Sequence, residues 1–399
     1  MHKIFVMNEF KLDLQDTAVA FADKTTAELK EKYRLFKLLN SPFLNSVGTK
    51  LAKFALGIGL PVEGMIKSTI FEQFCGGETI EECEPVINRL AAAHIGTILD
   101  YSVEGRSAEA DFDRTKDEII KTIARAKDDP KIPFSVFKVT GIAPLGTLER
   151  LSNKKKLDAK SQAKCERIKS RVSEICDFAH SIGQPIFIDA EDSWIQDAID
   201  RMAIEMMEKY NRESPIVFNT LQMYRTDRLQ FLKDSRKRAK EDGYILGVKL
   251  VRGAYMEKER ERAAEMNYPS PIHPDKASTD RDYNAALEYC LKHYNTVAFV
   301  AATHNEKSTK FLAEKMWERG IAPDHPSILF SQLYGMGDNI SYVLAKNNYN
   351  VTKYVPYGPI ADSIPYLIRR AEENTSVAGQ VSRELELLAA ELKRRNSEN

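Results

Sequence analysis

Cysteine is scarce: five residues, at 75, 83, 165, 176 and 290, in a chain of 399, with no Cys-x-x-Cys pair among them. That excludes a disulfide framework and leads us to expect free, mostly buried thiols in a reducing compartment. Excess charge of either sign is also missing, with 58 Lys plus Arg against 58 Asp plus Glu. No basic field therefore marks nucleic acid as a partner. No run approaches the ~18 apolar residues of a spanning helix. Residues 1–8 lack the apolar stretch and small-residue cleavage site of a signal peptide, so the expected location is cytoplasmic. The seven histidines show no His-Glu-x-x-His or comparable ligand spacing, so no metal site is expected. A Gly-x-Ser-x-Gly elbow is absent. Gly57-Ile-Gly59 lacks the third glycine of a dinucleotide fingerprint and reads as a loop or helix-capping feature.

The chain does have a core's worth of apolar residues, 43% against 29% charged, and the length for one large domain with attachments or two or three ordinary ones. From about residue 94, short β-branched and aromatic runs alternate with longer charged segments of helical period. The pattern predicts strands at Gly96–Val103, Phe134–Thr140, Pro185–Asp189, Ile216–Met223, Tyr244–Leu250, Val297–Ala302, Ile328–Gln332 and Lys353–Pro356. Helices are expected over roughly 111–128, 160–182, 194–211, 226–242, 280–294, 306–319, 338–347 and 362–374. Asp197, Thr226, Ser308 and Asp338 or Asn339 are candidate helix caps, and Gly183, Gly243 and Gly320 fall where helices should end. Most strands are apolar throughout, as parallel strands covered by helices are.

Eight such units in ~280 residues predict an α/β protein with a (β/α)8 barrel. The rival open sheet wants a Gly-rich turn after its first strand, and none follows Leu99. The expected organisation is a helical arm over 1–93, the barrel over 94–375 and a tail over 376–399. In the arm, Thr25–Leu39 and Val62–Phe74 have helical composition. Phe54–Leu60 between them is either packed core or a surface that touches lipid. In the tail, Leu385, Leu388 and Leu392 form one stripe of a docking helix.

Barrel enzymes draw their reactive groups from the C-terminal ends of the strands. The polar residues there are Asp100, Lys138, Thr140, Asp189, Glu191, Asn219, Gln222, Lys249, Arg252, Tyr255, Thr303, His304, Asn305, Gln332, Tyr354 and Tyr357. A lysine in an apolar strand needs a partner or a task. Lys138 is either a structural ion pair, with Asp189 for example, or a fixed charge beside a ligand, and Lys249 favours the second. Asp189-Ala-Glu191 has the look of a carboxylate pair, but glycosidase chemistry leaves Arg369 and Arg370 unexplained. Those two arginines could form a bidentate clamp for a small carboxylic acid. They could equally lie on a solvated helix face and pair with Glu373.

Several longer motifs resemble the proline dehydrogenase family: Val248-Lys-Leu-Val-Arg-Gly-Ala-Tyr255, Ile188-Asp-Ala-Glu191, Leu221-Gln-Met-Tyr224, Ala302-Thr-His-Asn305, Gln332-Leu-Tyr-Gly-Met336, Tyr354-Val-Pro-Tyr-Gly358 and Tyr366-Leu-Ile-Arg-Arg-Ala-Glu-Glu-Asn374. They follow the family's order, about one per strand, across 94–375.

The resemblance implies a distorted (β/α)8 barrel that holds FAD and oxidises L-proline to Δ1-pyrroline-5-carboxylate, passing electrons to a quinone. Carried over, Arg369 and Arg370 would bind the substrate carboxylate. Tyr255, Tyr354 and Tyr366 would wall its ring, with Leu250 beside it. Lys138 and Asp189 would shape the polar end of the pocket. Gln222, Lys249, Val251, Arg252, Gly253 and Ala254 would contact the isoalloxazine, and Thr303, His304, Asn305 and Gln332 the rest of the cofactor. The resemblance further implies a stand-alone form, with pyrroline-5-carboxylate dehydrogenase a separate protein. Any membrane contact would be peripheral, through 50–60 or the tail. Lys249 stands where many bacterial members have arginine, and Tyr354 where proline-preferring members keep tyrosine. Hydroxyproline oxidation, a Schiff-base aldolase using Lys249 and a non-catalytic amino-acid binder are the alternatives.

Overall fold

The strands run parallel in sequence order and β8 pairs back onto β1, so the sheet has no free edge. The computed structural model describes residues 9–39, 70–102, 108–153, 158–364, 366–367 and 380–398. The strands are β1 (Gly96–Tyr101), β2 (Phe134–Phe137), β3 (Ile186–Ile188), β4 (Val217–Gln222), β5 (Leu246–Val251), β6 (Val297–Ala302), β7 (Ile328–Leu333) and β8 (Val351–Tyr357). This is the expected (β/α)8 barrel. Pleating sorts each strand between two layers. On β5, Leu246, Val248 and Leu250 face the surrounding helices, while Lys249 turns inward. Phe134 and Phe187 stack 4.6 Å apart inside the barrel, with Phe218 edge-on to both. The lower interior is therefore filled with rings, as barrels of this size usually are, and polar chemistry is left to the upper rim.

Helices follow each of the first seven strands. Gly183, Gly243 and Gly320 adopt φ of 70°, 72° and 64° at helix ends, where a left-handed residue satisfies the last carbonyls. The cap candidates need correction. Asn305, not Ser308, caps the helix Glu306–Glu318 by accepting from the Ser308 amide at 3.0 Å. The helix Ser193–Tyr210 starts before Asp197, and its Ser193 amide and hydroxyl both donate to Glu259 at 2.6 Å. The helix Arg228–Asp242 begins after Asp227, with Thr226 outside it.

Within the barrel, two α-helices were not anticipated, Leu145–Ser152 and Met256–Glu265. The second carries almost no apolar stripe. Its one fully buried carboxylate, Glu259, serves Ser193, and Arg262 lies 4.3 Å from the Trp194 ring centre. Distant partners hold this helix in place, which periodicity cannot register.

The outer side of β8 is covered by residues from before β1. Gly76 donates to Pro356 O at 2.8 Å, and Gly77 bridges Tyr357. The chain after β8 is helical over 360–364 and 366–367. Its Ile360, Tyr366 and Leu367 share an apolar cluster with Phe36, Phe71 and Phe74 of the arm and Leu387 and Leu388 of the tail. Arm helix Thr26–Leu39 and tail helix Gln380–Glu398, both expected as helices, pack on one another. Beneath them Asp338 pairs with Lys32 at 2.7 Å and with Lys353 at 2.9 Å, while Glu384 accepts from the Gly337 amide at 2.6 Å. Phe54–Leu60 and most of Val62–Phe74 lie outside the described residues. No helix among the described residues is long and apolar enough to cross a membrane.

Candidate functional site

Five polar side chains from five strand ends converge inside the barrel mouth. Asp189, just past β3, accepts from the Tyr354 hydroxyl at 2.7 Å, pairs with Lys138 at 3.2 Å and takes a short bond from Lys249. Lys138 also reaches Asp100 at 2.9 Å and the Tyr354 hydroxyl at 3.0 Å. Ser102 donates to Asp100 at 2.8 Å. The Tyr354 ring lies between the two ammonium groups, 5.5 Å from Lys138 and 5.1 Å from Lys249, and Lys249 also sits 4.8 Å from the Phe187 ring. Cations over ring faces gain a further attraction.

The electrostatics follow from burial. Desolvation pushes Asp189 toward the neutral acid, but Lys249 and Lys138 outweigh it and bring its pKa down to about 2. Asp189 is thus a carboxylate at any physiological pH and takes no proton from a substrate. Burial raises the Tyr354 hydroxyl well above its ordinary value, with Asp100 and Asp189 adding to the effect, so it stays a donor. Lys249 spends its nitrogen on Asp189 and two ring faces, and the Schiff-base reading has no open amine to build on.

Around the cluster, backbone and amide groups build a second rim. Gln222 donates to Glu191 O at 2.7 Å and accepts from the Ala254 amide at 3.1 Å, so it is a strut between the β3 and β5 loops. Arg252 is fixed by Asp280 at 2.8 Å, Thr303 at 2.6 Å and Ser308 at 2.9 Å, and stacks 4.3 Å from the Tyr283 ring centre. Gly253 has φ of 143°, and a Cβ there would stand 2.5 Å from the Tyr224 ring. Only glycine lets that loop lie flat on the tyrosine. Residues 251–255 and 304–306 are half-buried.

The other sequence candidates fall into place around this rim. Thr303 accepts from Arg252 and from the Asn305 amide (3.1 Å), and His304 accepts from the Leu333 amide at 3.3 Å. Tyr255 sits at the start of the helix Met256–Glu265. Gln332 turns away from the barrel axis, donating to Thr303 O at 3.2 Å and accepting from Ser341 at 2.8 Å. Its side chain steadies the 303–305 loop from behind. Leu250 belongs to the outer layer, one pleat away from the inward face. Tyr366 is buried with the arm and tail cluster. Arg369 and Arg370 lie outside the described residues. Sequence reasoning noted Asp100 at a strand end without giving it a part and weighed Glu191 only as half of a carboxylate pair with Asp189, because only folding reveals their partners.

Among the described residues, no group of three or more His, Cys, Asp or Glu is placed to hold a metal. A cavity of about 650 Å3 opens elsewhere, between the arm and the outer side of β8, lined by Lys32, Arg89, Tyr334, Asp338 and Lys353. None of the inward cluster lines it, so we locate the site by its converging chemistry rather than by that volume.

Comparison with known proteins gives a family. The family model described as "Proline dehydrogenase" matches residues 83–383. A carbapenem antibiotics biosynthesis protein, CarD, of Pectobacterium carotovorum subsp. carotovorum is 37% identical over 84% of this chain and 86% of its own length. Mitochondrial proline dehydrogenase 1 of Dictyostelium discoideum is 32% identical over 97% of this chain and 76% of its own. In fold, the chain is similar to the crystal structure of proline utilization A from Bdellovibrio bacteriovorus, with a TM-score of 0.71 at 19% identity, covering 96% of this chain and 42% of that one.

Proposed function

The chain belongs to the proline dehydrogenase family, and on that premise we propose that it oxidises L-proline to Δ1-pyrroline-5-carboxylate, with FAD as cofactor and a quinone as electron acceptor. The observation that carries the reading is the family match across the whole barrel, residues 83–383. The buried lysine–aspartate–tyrosine cluster in the mouth of that barrel supports it.

The rim suits a large group held mainly by backbone. Val251–Ala254 is half-buried, and Gly253 keeps that loop without a side chain where it presses on Tyr224. Gln222, Lys249, Val251, Arg252, Gly253, Ala254, Thr303, His304 and Asn305 would hold FAD, with Gln332 supporting them from the outer layer. Bound there, FAD supplies a two-electron sink.

The chain's own side chains position and polarise. Tyr354 offers a ring face fixed at its hydroxyl, which donates to Asp189 and accepts from Lys138, and this restricts a substrate ring to few poses. Lys138 and Lys249 keep the local potential from turning negative, and a pocket of that kind favours the neutral amine that oxidation requires. Tyr255 and Tyr366 complete the wall, and Arg369 and Arg370 grip the carboxylate. L-proline is preferred over hydroxyproline because Tyr354, buried and tied down at its hydroxyl, leaves little room or hydrogen-bonding capacity for a ring substituent. Contact with a quinone-bearing membrane is peripheral.

An absorbance spectrum of the purified protein before and after anaerobic L-proline tests the reading. A flavin spectrum bleached by proline supports it. A colourless protein, or a flavin spectrum that proline leaves unchanged, refutes it.

A further inference from the structure

We propose that Glu191 is a positioning residue that ties the loops after β2, β3, β4 and β5 into one rim, and that its carboxyl sets how strongly the barrel mouth holds an anionic substrate. The inference rests on reading the chain as a proline dehydrogenase.

Glu191 is 6% exposed and uses every polar atom it has. Its carboxyl accepts from the Thr140 amide at 3.0 Å and makes a short bond with the Thr140 hydroxyl, anchoring the chain after β2. Its own amide donates to Gln196 at 2.8 Å, which fixes it to the helix Ser193–Tyr210. Its carbonyl accepts from Gln222 of β4 at 2.7 Å, and Gln222 in turn accepts from Ala254 of the β5 loop at 3.1 Å.

The charge environment is mixed. Lys138 faces Glu191 from the end of β2, and Asp192 adjoins it, itself paired with Lys258 at 2.7 Å from the helix Met256–Glu265. Asp189 lies two residues back, with Lys249 of β5 on its far side. The β4 side presents neutral Thr220 and Gln222. Gln196 is neutral too and is backed by Asp200 at 2.9 Å. Burial raises the Glu191 carboxyl to about 7, against the pull of Thr140 and Lys138. The inner set of Asp100, Lys138, Asp189 and Lys249 is balanced, two charges of each sign. Ionising Glu191 tips it negative and works against a bound carboxylate.

The test is the pH dependence of proline turnover with a dye acceptor, in wild type, Glu191→Gln and Thr140→Val. A glutamine can keep both Thr140 contacts, so that variant removes charge and leaves position intact. The wild-type KM for proline is expected to rise about tenfold between pH 6 and 8. Glu191→Gln should hold the low-pH KM throughout, with flavin content unchanged. Thr140→Val removes a bond that favours the ionised carboxyl and should move the inflection to higher pH. Should Glu191→Gln fail to fold, the Thr140→Val profile decides. An unmoved inflection in either variant overturns the proposal while leaving the family reading intact. A wild type that does not turn over proline at any pH overturns both.

Discussion

The Tyr354 hydroxyl donates to Asp189 at 2.7 Å across the barrel mouth, joining β8 to the end of β3, strands that are not neighbours in the sheet. Neither side chain could be fixed by its own strand alone. The bond makes the aromatic wall and the ionised carboxylate one rigid unit, with Lys138 reaching both.

Tyr354→Phe keeps the ring and breaks that unit. A hydrogen bond to a charged group is worth ~1.5–3 kcal/mol, so kcat/KM for proline should fall roughly 10–100-fold with the circular dichroism spectrum unchanged. Steady-state dye reduction checks it. Unaltered kcat/KM would show that the hydroxyl is idle.

Asp189→Ala leaves Lys249 and Lys138 short of a counter-charge in the mouth, and should cost ~3–5 kcal/mol in urea unfolding. The pH dependence has a definite sign. The Asp189 pKa is lowered from 3.8 to about 2, so its stabilisation, roughly 2 kcal/mol, is complete above pH ~4 and lost as pH falls toward 2. Unfolding midpoints of the wild type and Asp189→Asn should therefore draw together over that range. Parallel midpoints would mean that the ion pairs contribute no stability.

Gly253→Ala forces a Cβ to within 2.5 Å of the Tyr224 ring at a φ of 143°. Strain of ~1–3 kcal/mol is expected, felt where the β5 loop meets the cofactor. Flavin absorbance per protein should drop several-fold while the barrel stays folded, and Tyr224→Ala in the same chain should restore part of it. Full flavin content in the single variant would place the cofactor elsewhere.

Asp338→Ala strands Lys32 and Lys353, both buried, Lys353 with 0% exposure. Loss of ~3–5 kcal/mol is expected, concentrated where the arm meets the barrel. Limited proteolysis should cut the 9–39 region first. Uniform resistance would mean that the arm is held by its apolar cluster alone.

Arg370→Met tests the substrate clamp carried over from the family motif. KM for proline should rise at least tenfold, on the scale of one lost charged hydrogen bond, while flavin content is retained. Equal saturation in mutant and wild type would remove Arg370 from the carboxylate.

Much of the fold could be read from the residues because parallel strands buried on both sides are apolar runs and the helices between them carry a 3.6-residue period. The helix Met256–Glu265 escaped notice because it has a buried carboxylate in place of an apolar stripe. In the site, Lys138, Asp189, Lys249 and Tyr354 could be picked out as polar residues in hydrophobic strands. The roles of Asp100 and Glu191 could not, since a carboxylate looks the same in sequence whether solvated or paired. Gln332 and Leu250 show a finer difficulty. Side chains alternate at every residue, so a motif can be correct while a given member of it faces the outer layer.

By itself the sequence determined the barrel, its strand order and the family, since hydrophobic period and long motifs are local properties of the chain. Only the tertiary structure decided which charges neutralise one another and which loops share a strut. Those pairings depend on closing the sheet, which brings Asp100, Lys138, Asp189, Lys249 and Tyr354 from distant parts of the chain into one low-dielectric space.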